Sequence, residues 1–139
     1  MKSNDSLLKL RRFEANEKQH KVTDIEIMIA DFKRLAEDLT HQIRVEEENS
    51  GIRDVKHFSY PTYAKAAHQR RDNLLASIRD LEAKLAEARA EVAEAMEELK
   101  KSELVEERSL IDHDRSASAG RQLGDPPAAP QPHIYDGRP

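Results

Sequence analysis

The chain has 139 residues, 36% of them charged and 4% aromatic, with a net charge of -4 and no cysteine. So few large apolar side chains exclude a single deep hydrophobic core, and the absence of cysteine excludes disulfides and thiolate chemistry. No apolar run approaches the roughly 20 residues that span a bilayer, "MKSNDSLLKLRR" lacks the apolar centre of a signal peptide, and negative net charge disfavours non-specific nucleic-acid binding. The expectation is a soluble cytoplasmic chain with no direct membrane insertion.

Residues 1 to 50 contain neither glycine nor proline and are rich in Ala, Glu, Leu, Lys and Arg. That predicts a helix over about 3–48. Val22, Ile25, Ile29, Phe32, Ala36, Leu39 and Ile43 follow one another at alternating steps of three and four, the a/d seam of a coiled coil. Continued backward, the seam meets Lys18, Ala15, Arg11 and Leu8, so its first third is mixed.

Residues 49–61 carry the turn signals. Gly51 suits the left-handed position just past a helix end, and Ser59 or Thr62 suits the cap of the next helix, with Pro61 tolerated in its first turn. A second breaker-free stretch predicts a helix over about 62–110, with a seam of Leu74, Ile78, Leu81, Leu85, Ala88, Val92, Ala95 and Leu99. Residues 112–139, rich in Pro, Ala and Ser, are expected to form a disordered tail in which Ile134 and Tyr135 are the only neighbouring large apolar residues.

Two seams can pair with each other or with a second copy. Net charge decides: it is +3 over residues 1–22, -5 over 23–50, +4 over 51–79 and -6 over 80–107. Folding back near residue 55 sets every block against one of opposite sign, whereas a parallel homodimer sets each against itself. The expected fold is all-α, a long antiparallel two-helix coiled-coil hairpin. Facing seam residues should have numbers that sum to about 110, as in Ile25 with Leu85.

Catalytic chemistry finds little support. The six histidines (20, 41, 57, 68, 113 and 133) include no i, i+4 pair, no phosphate-loop or nucleophile-elbow motif is present, and runs such as Glu46-Glu47-Glu48 read as solvated helix faces. No enzyme activity, metal or cofactor is expected. The informative stretch is "DVKHFSYPTYAKAA" (54–67), which holds three of the six aromatics. Ile52, Val55, Phe58, Tyr60 and Tyr63 can pack together as a plug that closes the rod, and their outer face can serve as a contact patch beside the basic "HQRRD".

Three segments, "MKSNDSLLKLRRFEANEKQ", "GIRDVKHFSYPTYAKAAHQRRDNLLAS" and "EELKKSELVEER", resemble the FliJ family of flagellar type III export proteins in its alphaproteobacterial form, over roughly residues 1–110. The resemblance implies a non-enzymatic stalk in the ring of the export ATPase (FliI-like) at the cytoplasmic face of the inner membrane. It also implies links to the export gate protein (FlhA-like) and to export chaperones, and hence to motility and chemotaxis. It supplies no single-residue sites. On that reading Phe58, Tyr60 and Tyr63, with Arg70 and Arg71 beside them, are candidate gate-side contacts, and Arg11 and Arg12 candidate ring contacts. A generic coiled-coil spacer or prefoldin-like chaperone arm is the alternative; prefoldin-type arms add strands, and no β-rich segment is seen here.

Overall fold

The computed structural model describes residues 2–124, with side-chain exposure defined from 5 to 119. It holds two helices, α1 (Lys2–Ser50, 49 residues) and α2 (Thr62–Gly124, 63 residues), and no strand among the described residues. They pack side by side as an all-α antiparallel hairpin. At 1.5 Å per residue the shared rod is about 70 Å long.

The a/d periodicity has its physical expression in burial. Ala15, Val22, Ile25, Ile29, Ala36 and Ile43 of α1 are buried against Ala64, Ala67, Ile78, Leu81 and Ala88 of α2. Val22, Ile25, Ile29, Ile78, Leu81 and Ala88 form one cluster, with Phe32, Leu85 and Val92 packed on it. Each large buried side chain contributes about 1.5–3 kcal/mol against the entropy of ordering. No polar or charged residue is buried among the described residues, as a seam one residue wide requires.

Ion pairs across the helices fix the alignment. Lys18 and Lys21 reach Glu91 at 3.4 and 3.5 Å, Arg89 reaches Glu26 at 3.2 Å, and Lys33 reaches Glu82 at 3.7 Å. Partner numbers add to 109 for Lys18–Glu91, 111 for Thr40–Arg71 and 115 for Arg89–Glu26, within about a turn of the expected register. All these pairs are exposed, so they select the register more than they stabilise it.

Two boundaries differ from expectation. The second helix runs to Gly124 rather than stopping near 110. Residues 111–119 are exposed along its whole circumference, so no tertiary burial holds them. The physical reason is local: "DHDRSASAGRQL" contains no proline, its one glycine costs only about 1 kcal/mol, and the first true stop comes with Pro126. The expected tail therefore begins at least a dozen residues late, and Ile134 and Tyr135 lie outside the described residues. At the other end of α2, Lys65 N–H donates to the Pro61 carbonyl at 3.0 Å, so Pro61 itself takes the cap position and neither Ser59 nor Thr62 lends a side-chain oxygen.

Candidate functional site

The turn is held by a succession of short-range hydrogen bonds. Gly51, at φ 72°, ends α1, and its N–H donates to the Glu47 carbonyl at 2.9 Å, a left-handed cap that an L side chain adopts only under strain. Ser50 Oγ then accepts from Ile52 N–H at 3.1 Å, and Asp54 Oδ1 from Lys56 N–H at 2.9 Å. Two consecutive four-residue turns follow, closed by His57 N–H to Asp54 O and Tyr60 N–H to His57 O, each at 3.0 Å. Ser59 N–H donates to His57 Nδ1 at 3.0 Å, which leaves the His57 proton on Nε2.

This backbone separates the aromatics. Phe58 is 95% exposed at the tip, its ring stacked on His57 with centroids 4.8 Å apart and 20° between planes. Tyr63 is 55% exposed on the flank, and its hydroxyl donates to Gln42 Oε1 at 3.0 Å. Val55 is also exposed, and Ile52 is half-buried. Only Tyr60, 7% exposed, closes the seam. The expected single plug of five residues is thus corrected: because the two turns double back at His57, Phe58 and Tyr60 leave the chain toward opposite environments.

Tyr60 is the hub of a polar chain that runs across the hairpin. Its hydroxyl donates to Glu47 Oε2 at 2.8 Å and lies 3.1 Å from His68 Nε2. Arg71 Nη2 lies 3.0 Å from His68 Nδ1, and since a guanidinium only donates, Nδ1 accepts and Nε2–H donates to Tyr60. Arg71 Nη1 also donates to Thr40 Oγ1 at 3.2 Å, and Thr40 in turn donates to the Ala36 carbonyl at 3.0 Å. Burial first, then the Glu47 hydrogen bond and charge, pushes the Tyr60 hydroxyl from 10.0 up to about 12, with Arg71 pulling the other way.

The candidate residues therefore divide. Phe58 and Tyr63 are displayed at the tip, and exposed Arg70 lines an open groove of about 450 Å³ with Leu35, Leu39 and Leu74. Tyr60 and Arg71 are built into the interior network and present little to a partner. Arg11 pairs with Glu14 at 3.1 Å, whereas Arg12 is exposed; both stand about 60 Å from the tip at 1.5 Å per residue. The structure adds a second surface at that open end, where Leu7, Leu10, Phe13, Leu104, Val105 and Ile111 are exposed. The signal for it was present: all six sit off the a/d positions of their helices.

Among the described residues no group of three or more His, Asp or Glu could hold a metal ion, and no helix is long and apolar enough to cross a membrane. The cavities are open grooves along the rod rather than enclosed chambers. No protein-family model, no curated protein and no solved structure matches the chain.

Proposed function

We propose that the chain is a non-enzymatic stalk of a flagellar type III export apparatus, seated in the ring of its export ATPase and joining that ring to the export gate and the chaperone cycle. The observation that carries this reading is a rod of about 70 Å with two chemically different ends: an aromatic tip displaying Phe58 and an open end displaying Leu7, Leu10, Phe13 and Val105. Exposed large apolar side chains at the ends of an otherwise charged rod are the natural anchors for partners. The charged sides suit passage through a pore without adhesion to it. The open end then enters the ring, the tip faces the gate, and the protein works at the cytoplasmic face of the inner membrane. The resemblance of the turn segment to the FliJ family selects this reading over a spacer or a prefoldin-like chaperone arm.

The test is the ATP hydrolysis rate of the cognate export ATPase with and without the purified protein. A rise accompanied by a shift of the ATPase toward hexamers is expected. No change in either property overturns the stalk reading in favour of a spacer. In cells, Phe58→Ala with Tyr63→Ala should impair motility while far-UV helicity stays at the wild-type level, because both rings lie outside the seam.

A further inference from the structure

One flank of the rod beside the turn carries an unbalanced set of cations. Two open grooves of about 560 and 290 Å³ share Thr40, Arg44 and Arg71 and so run into each other between the helices. The floor is apolar, with Ala36, Ile78 and a Leu75 that remains 40% exposed. Arg44 from α1, Arg53 from the turn and Arg71 from α2 stand along it. None of the three makes an ion pair among the described residues, although cations elsewhere on the rod (Lys18, Lys21, Lys33 and Arg89) all do.

Arg71 is the most demanding of them. Its two terminal nitrogens meet only neutral acceptors, Thr40 and His68, and its Nε is out of contact with solvent and has no acceptor. The nearest carboxylate in the network, Glu47, spends Oε2 on Tyr60. A half-buried guanidinium with an unused donor and no counter-ion is a cost that a bound anion removes.

The geometry points to this groove as the docking site of an acidic amphipathic helix from a partner protein. Its apolar side chains cover Ala36, Leu75 and Ile78, and its carboxylates supply the counter-charges of Arg44, Arg53 and Arg71. From Ala36 to the turn the groove is about 20 Å long, which matches roughly four helical turns. Glu37 and Glu48 on its rim repel a phosphate backbone but leave room for discrete carboxylates between them, so a protein helix is favoured over a nucleic acid. The groove on the opposite flank carries its own acid, Asp38, across from Arg70 and lacks this imbalance. The site is independent of the stalk reading and survives its failure.

The experiment titrates the full ¹⁵N-labelled chain with a synthetic helical peptide bearing leucines on one face and glutamates beside them. The same peptide with glutamine for glutamate and a single-stranded oligonucleotide serve as controls. Saturable shifts of the Arg71 Nε–H signal and of the Ala36 and Leu75 amides are expected. Arg44→Gln, whose side chain is exposed, should weaken binding about tenfold with the far-UV spectrum unchanged, and Lys84→Gln should leave it as it was. Equal binding of the glutamine peptide, tighter binding of the oligonucleotide, shifts centred on Leu35 and Arg70, or no saturation each overturns the proposal.

Discussion

The two ends of the rod are built on opposite principles. Toward the turn, burial and hydrogen bonding converge: Tyr60, Ala64 and Ala67 are buried, and the chain from Arg71 through His68 and Tyr60 to Glu47 ties the two helices together. Toward the open end the seam dilutes into Arg11 and Leu8 on α1 and Ser102, Glu106 and Ser109 on α2, none of them buried. Past Ala88 no residue of α2 is buried among those described. A hairpin therefore need not be uniformly stable along its length. Here the cohesive interactions sit next to the turn, and the open end keeps its apolar side chains exposed.

The sharpest challenge to that contrast is to truncate equivalent side chains in each half. Ile29→Ala, in the buried cluster, should cost about 2–4 kcal/mol in a urea melt followed by circular dichroism. Leu104→Ala, at a side chain 50% exposed, should cost no more than about 0.5 kcal/mol. Equal costs would abolish the distinction. Tyr60→Phe keeps the ring in the seam and removes the hydroxyl between Glu47 and His68, for an expected loss of about 1–2 kcal/mol.

That loss also has a pH signature. Because the folded hydroxyl is raised from 10.0 to about 12, folding favours its protonated form. Its contribution is complete below pH 10 and disappears as pH rises through about 12, so alkaline titration should erase the difference between wild type and Tyr60→Phe. Persistence of the full difference above that window would assign the effect to packing.

Gly51→Ala probes the turn backbone alone. A methyl group there meets nothing within 4 Å, yet φ stays at +72°, so the expected cost is about 1 kcal/mol of pure conformational strain. The smallest effect belongs to Glu91→Gln at the ion pairs with Lys18 and Lys21. Their charges hold the Glu91 carboxyl below its usual value, so this support is present above pH 4.5 and fades as the carboxyl protonates at lower pH. The group is exposed, and high salt should reduce its effect in the same direction. An effect rivalling Tyr60→Phe would relocate the cohesion to the rod's middle.

Much of this architecture was legible in the residues. The a/d steps located Val22, Ile25, Ile29, Ile78 and Leu81 in the core, and the alternating charge blocks chose the antiparallel pairing. What escaped was continuity through residues that do not look like core. Stepping back from Leu74 by three and four gives Arg71, Ala67, Ala64 and Tyr60, and the seam does run through them. An arginine in that row disguised it. The fates of Phe58 and Tyr60 were not legible, because they depend on two turns reversing the chain within seven residues. The helix beyond residue 110 was misread for a related reason: polar, small residues were taken as a stop, when only proline or lost hydrogen bonds stop a helix.

The Glu47–Tyr60 bond also bears on how fast the hairpin forms. It joins residues 13 apart in the chain, whereas Thr40–Arg71 spans 31, Glu26–Arg89 spans 63 and Lys18–Glu91 spans 73. Closing the shortest of these loops first costs about 1.5 kcal/mol less entropy than closing the longest. Every later contact then closes only a small increment on a loop already shut. The chain is built to zip from the turn outward, with Tyr60 in the nucleus and Lys18–Glu91 near the end of the path. Removing the Tyr60 hydroxyl should accordingly slow folding, while removing Glu91 should mainly hasten unfolding.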